Sequence, residues 1–234
     1  MGFYRMIMRN NLEVLRRLTM KTLSDDFLST IRSIGMSKFR HPIFYNAPLG
    51  IRFEIGADES VYLEKNEDKY IANPKYISKA LKRAKSIYEN LPKKPNLLRI
   101  DAYPDEVFTE EKIVLSICRE ASLPKPHEIK ITPFQWEKED EVITQLQLYW
   151  DLNNFDFKPN VLLEQIIKAD IGGNRTFVSS VFFVDTYNVI LYHVYDDRGA
   201  DLVAKNKESL YPIFIRFNNW ILNCDREKIE SSGN

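Results

Sequence analysis

Cysteine is nearly missing from this chain: Cys118 and Cys224 are the only two. Two lone thiols do not staple a domain of this length, so a disulfide scaffold is excluded and a reducing compartment, the cytoplasm, is expected. Histidine is almost as scarce. His41, His127 and His193 stand far apart, and neither a His-x-x-x-His nor a Cys-x-x-Cys pair occurs. No metal-ligand set is expected, and no cofactor. An excess of one charge is missing too, since 33 basic side chains balance 33 acidic ones. A broad nucleic-acid or anionic-membrane surface needs a basic surplus, so neither partner is expected. No apolar run approaches the roughly 20 residues of a membrane helix. The N-terminal stretch lacks the apolar segment and small-residue cleavage site of a signal peptide. Catalytic motifs are equally absent. There is no Gly-x-Ser-x-Gly, and Gly172-Gly173-Asn174-Arg175 lacks the Lys-Ser/Thr of a phosphate loop. No side chain is assigned a catalytic role, and the protein is expected not to be an enzyme.

What the chain does hold is core. Hydrophobic residues make up 44% and aromatics 12%, enough for a sizeable buried interior. Ser24 reads as an N-cap ahead of Asp25 and Asp26, with Phe27, Leu28, Ile31 and Ile34 at helical spacing and Gly35 ending the helix. Residues 41–50 read as extended, with two prolines. Ile51, Phe53 and Ile55 alternate with polar residues as a strand. Tyr62 and Leu63 fit a short edge strand. Asn73-Pro74 opens an amphipathic helix that runs through Ile77, Ala80, Ala84, Ile87 and Leu91. Leu98, Ile100 and Ala102 make a second strand, and Thr109 caps a helix carrying Ile113, Ile117 and Cys118. Ile129 and Ile131 suggest a short strand stopped by Pro133, followed by a polar loop over Gln135 to Asp140. Leu146 to Leu152 alternate as a strand, with a helix over Glu141 to Gln147 as the alternative, and Pro159 opens a further helix.

The C-terminal part is the most sharply patterned. Phe177 to Val184 and Val189 to Tyr195 are apolar on both faces, as central covered strands are. Asp185 to Asn188 is a turn between them, and Asp201 to Ala204 a third short strand. Asn206 caps a helix reaching Ile221, and the tail from Glu227 is expected to fray. The fold class is α+β: a mostly antiparallel sheet with amphipathic helices packed on it. Residues 1–21 read as an extension, with the native start expected at Met20. Residues 22–230 form one domain, in which the break at 172–174 would allow two lobes.

The sharpest polar cluster is Asp196-Asp197-Arg198-Gly199-Ala200-Asp201. Its carboxylates have the chemistry for a divalent cation or an acid–base pair, but the spacing is not that of an EF-hand loop. Ordinary turn chemistry explains the same residues: Asp bonds to backbone, Gly199 at positive φ, and Arg198 paired locally. Trp220 sits late in a helix among asparagines, either packing the helix end or anchoring a partner.

Two stretches carry a likeness when taken together. One is His41-Pro42-Ile43-Phe44-Tyr45-Asn46 leading to Gly50-Ile51-Arg52-Phe53-Glu54-Ile55-Gly56. The other is Tyr192-His193-Val194-Tyr195 running on to Asp201, then Asn219-Trp220-Ile221-Leu222 and Asp225-Arg226-Glu227. They resemble the bacterial domain-of-unknown-function family DUF3885, found mostly in Bacillus-like bacteria, over about residues 22–230. The resemblance brings no catalytic residues to map. Relatives in polymorphic-toxin neighbourhoods imply an immunity protein with a toxin as its partner. The expectation is thus a non-enzymatic protein-binding domain, with Asp196, Asp197, Arg198, Asp201 and Trp220 as its binding residues. The alternative is a metal-dependent hydrolase using Asp196, Asp197 and Asp201.

Overall fold

The computed structural model describes residues 21–56, 58–66, 69–135, 141–172 and 180–231. Most of the expected N-terminal extension and polar loop, the start of the strand at Phe177 and the rest of the break after Gly172 lie outside the described residues.

The frame is a seven-stranded sheet. Its strands are β1 (Gly50–Glu54), β4 (Leu97–Ala102), β5 (Glu128–Gln135), β6 (Val142–Asp151), β7 (Ser180–Asp185), β8 (Ile190–Val194) and β9 (Gly199–Ala204). They lie in the order β1-β9-β8-β7-β4-β6-β5, every neighbouring pair antiparallel. Strands from both sides of Gly172 share this one sheet. β2 (Tyr62–Asn66) and β3 (Lys69–Ala72) form a separate hairpin. The fold is α+β, as the mixture of strand and helix patterns predicts.

Helices cover both faces. On one side lie α3 (Pro74–Glu89), α4 (Glu110–Glu120), α5 (Pro159–Ala169) and α6 (Lys207–Arg216). Their apolar stripes meet Leu98, Ile100, Leu148, Trp150, Val181, Phe183, Val194 and Leu202 in one large core. On the other side lie α1 (Leu23–Ile34) and the short α2 (Ile43–Asn46). There Phe27, Ile31, Ile34 and Ile43 pack on Leu97, Tyr149, Phe182, Val184, Leu191 and Val203. Covered twice, β4, β8 and β9 are buried at every residue, β8 with a nearly continuous apolar run and β4 with its charged Arg99 and Asp101 paired to each other. Each apolar side chain so placed adds roughly 1.5–3 kcal/mol.

Local chemistry departs from expectation at several points. Thr22, not Ser24, caps α1, in a reciprocal capping box with Asp25. Ser24 is instead free to bond across to the sheet. Gly35 closes the helix in the left-handed region, φ 97°, as expected. The prolines around residues 42–48 bracket a helical turn, not an extended run. Residues 142–151 are strand and not helix. β5 runs straight through Pro133, because an edge strand has a side on which a missing N–H costs no ladder bond. α6 stops at Arg216, well short of Ile221. A 3-10 turn over Asn218–Trp220 follows, Ile221 bridges to Phe53, and α7 (Asn223–Ser231) replaces the expected frayed tail.

Candidate functional site

The turn after β8 is built as its residues dictate. The Asp196 carboxylate accepts the backbone N–H groups of Arg198 at 2.8 Å and Gly199 at 2.9 Å through Oδ1, and the Arg198 guanidinium at 2.6 Å through Oδ2. Gly199 is required for a different reason from the one expected. Its φ is not positive; a Cβ there would meet the Tyr195 hydroxyl at 1.8 Å, so glycine is what lets the ring lie against the chain. Asp197 accepts the Tyr76 hydroxyl from α3 at 2.5 Å. Burial, and then that bond, raise the Tyr76 pKa. Asp170, at the end of α5, joins them, so that carboxylate oxygens of Asp170, Asp196 and Asp197 lie within 4.8 Å of one another. Burial raises the Asp170 pKa, and its two acidic neighbours add to the effect. No motif marks Asp170 in the sequence.

Asp201 does not belong to this group. Strand alternation turns it to the α1 face, where it is fully buried and takes a bidentate bond from Arg52, Nε–Oδ1 2.8 Å and Nη2–Oδ2 3.1 Å. It also accepts the Phe44 N–H at 3.2 Å. The Arg52 guanidinium lies over the rings of Tyr45, Tyr195 and Phe44 at 4.7, 5.1 and 5.6 Å. Tyr45 in turn donates to Asp225 at 2.9 Å, and Lys228 of α7 donates to the Phe44 carbonyl. Trp220 is half-buried, stacked on Phe217 at 4.7 Å with Arg83 above it at 5.7 Å, so it packs the end of α6 and does not stand out from the surface. Arg198 remains open to solvent on the far side of its pair with Asp196.

Arg52 and Asp201 begin a register row that crosses all seven strands: Arg52, Asp201, His193, Phe182, Arg99, Tyr149, Glu128. His193 stacks on Phe182 at 4.5 Å and donates to the Val181 carbonyl at 2.8 Å. His41 lies across it, ring to ring at 5.2 Å. Burial, and then the nearby His193 ring and Arg99 guanidinium, push the His41 pKa down to about 3. Burial pushes His193 down to about 4. Both rings are neutral at physiological pH. Arg99 is itself buried and locked to Asp101 of the same strand, Nε–Oδ1 2.6 Å and Nη2–Oδ2 2.8 Å. At the end of the row, both Glu128 oxygens hold Ser24, one its hydroxyl at 2.6 Å and the other its N–H at 3.1 Å.

The two stretches that carry the family likeness therefore meet on neighbouring strands. His41 faces His193, Phe44 and Arg52 bond Asp201, and Tyr45 bonds Asp225. The family described as "Domain of unknown function (DUF3885)" matches residues 27–225. The chain belongs to the DUF3885 family. The uncharacterized protein YnaE of Bacillus subtilis (strain 168) is 22% identical over 166 residues, which cover 68% of this chain and 67% of that protein. No solved structure matches. Among the described residues of this DUF3885 chain, no helix is long and apolar enough to cross a membrane.

One further surface stands out. β5 is eight residues long, and among the described residues it is the outer strand of the sheet. On its α4-side face, Ile129 and Ile131 are 42% and 57% exposed, and Val142, opposite Gln135 on β6, is 61% exposed. Ile131 pairs with Leu146 and Ile129 with Leu148, so the apolar core runs out to the rim, where the described residues provide no cover.

Proposed function

We propose that this DUF3885 domain works by binding a protein partner, performs no chemistry of its own, and acts in the cytoplasm as an immunity protein against a bacterial toxin. The single observation that carries partner binding is the β5 edge. An eight-residue outer strand with exposed Ile129 and Ile131, and exposed Val142 farther along the adjoining strand, is a template for an added strand, with main-chain bonds for affinity and apolar side chains for fit. Soluble proteins usually blunt such edges. Here Pro133 and Lys130 do so only in part. The toxin as partner is what the family resemblance implies. This surface lies at the opposite end of the sheet from the Asp196–Asp201 turn, so of the residues expected to bind, Arg198 is the one still placed to contribute at a second rim.

The test is co-purification with the product of the adjacent gene. The expected result is a stable complex that an Ile131→Lys change in this chain breaks, with loss of protection from the toxin. Absence of a complex and of protection would sink the reading. One observation favours a second reading, a metal-dependent hydrolase, in amended form: Asp170 takes the place of Asp201 beside Asp196 and Asp197. Asp196 has both oxygens engaged, which leaves Asp170 and Asp197 as the stronger ligands. Calorimetric titration with Mn2+ decides it, since silence removes the hydrolase.

A further inference from the structure

A cavity of about 340 Å³ opens beside α1, between the 39–41 segment and strands β4, β6 and β5. Its lining is unlike a gap left by poor packing. Arg99, Gln145, Gln147, Thr132 and Tyr149 bring polar atoms to it, while Phe39, Phe134 and Leu28 bring apolar walls. The amides and hydroxyls are mostly spent on each other: Gln147 donates to Gln145 at 2.7 Å, and Tyr149 donates to Gln147 at 2.9 Å. The guanidinium is not. Asp101 takes the Nε and Nη2 side of Arg99, and among the described residues Nη1 has no hydrogen-bond acceptor.

That unspent end is held rigidly. The rings of Phe27, Phe39, Tyr149 and Phe182 surround the guanidinium at 4.4, 5.1, 5.6 and 5.9 Å and fix its plane. The free edge of a caged, 4%-exposed arginine is an arrangement that recognises a planar acceptor pair. Charge narrows the choice. Asp101 matches Arg99 on one side only, and Lys130 at the mouth lies 3.8 Å from Glu128, so the outer edge of the guanidinium is the place for a single negative charge. A dianion would be repelled by Asp101, which lines the same cavity. Neither His41 nitrogen has a hydrogen-bond partner among the described residues, which gives the mouth a further donor.

We propose that this cavity is a binding site for a small monocarboxylate with a compact apolar or aromatic body, its carboxylate on the outer edge of Arg99 and its body against Phe39 and Phe134. A volume near the lower end of ligand sites suits a molecule of about a dozen heavy atoms. This site is independent of the β5 edge and does not rest on the partner reading.

The experiment is isothermal titration of the full chain with sodium benzoate, phenylacetate and hydrocinnamate, at ionic strength held constant with NaCl, with phenyl phosphate alongside. Saturable binding of at least one carboxylate, with Kd about 1 mM as expected for so small a ligand, supports the site. Lys130→Gln at the rim should weaken it several-fold, and Arg99→Lys should abolish it. Should Arg99→Lys fail to fold, Thr132→Trp, on the half-buried edge strand, fills the cavity and should abolish binding while leaving the circular dichroism spectrum of the parent and a single cooperative melt, lowered by the loss of its bonds to Gln145 and Gln147. No saturable carboxylate binding, binding untouched by Thr132→Trp, or tighter binding of phenyl phosphate than of every carboxylate would each overturn the proposal.

Discussion

The two faces of the sheet solve one packing problem in opposite ways. The face under α3 to α6 is apolar from edge to edge, and several helices share the work of covering it. The face under α1 and α2 has less cover, and it is crossed by a row of arginine, aspartate, histidine and glutamate alternating with rings. Apolar packing is tolerant: each contact is small, and neighbours relax around a loss. A buried ion pair is not. It contributes little beyond a well-fitted apolar substitute, yet removing one partner strands a charge. The first face should therefore set how stable the domain is, and the second how uniquely it is arranged.

The largest effect should come from unpairing the hub. Asp201→Ala leaves Arg52 without its buried partner and should cost about 3–5 kcal/mol in urea unfolding. Replacing both, Arg52→Met with Asp201→Leu, should return stability to within about 1 kcal/mol of the parent. If the double change is as damaging as the single one, the contrast between the faces fails. On the apolar face, Leu148→Ala should cost about 3 kcal/mol, the usual toll of a cavity under close-packed side chains. There no second substitution should rescue it as cleanly.

Acid should weaken the polar face alone. His41 and His193 are neutral when folded and titrate near 6.5 when unfolded. Above about pH 6.5 both states are neutral and nothing is lost. As pH falls below that, the unfolded chain takes up protons that the folded one refuses until about pH 3–4. Stability should fall by up to about 1.4 kcal/mol per histidine per pH unit between pH 6.5 and 4.5. Urea midpoints of the parent and of His193→Gln over that range measure it, the variant showing the shallower decline. A cap substitution, Thr22→Ala, should cost about 1 kcal/mol by loosening α1 at its start. Ile131→Lys should change stability by less than about 0.5 kcal/mol, since the residue lies at the rim.

Much of the fold was legible. Alternation places β1, β4 and β6, the Asn73-Pro74 signal opens α3 at its first residue, and doubly apolar runs correctly mark β7 and β8 as central. The site was legible only in pieces. Asp196, Asp197 and Asp201 are close in sequence, but the first two belong to a turn and the third to a strand whose parity turns it toward α1. Spacing cannot show which of those wins before the sheet is assembled. Arg99 and Asp101 read as the solvent side of an amphipathic strand. They are buried because a helix from the beginning of the chain closes over them, a contact with no local signature. Asp170 is likewise an ordinary helix-end residue until β8 and its turn arrive beside it. Pro133 was misleading for a related reason: a proline stops an inner strand but not an outer one, and position in the sheet is not written in eight residues.

Glu128 has a role that neither face describes alone. It sits on the outermost strand, and both its oxygens are taken up by Ser24 in the first turn of α1. The helix roofing the polar face is thus moored to the strand that borders solvent, 104 positions away along the chain. Rim and roof behave as one lever: a displacement of β5 pulls on the start of α1, and any tightening of α1 holds β5 in place.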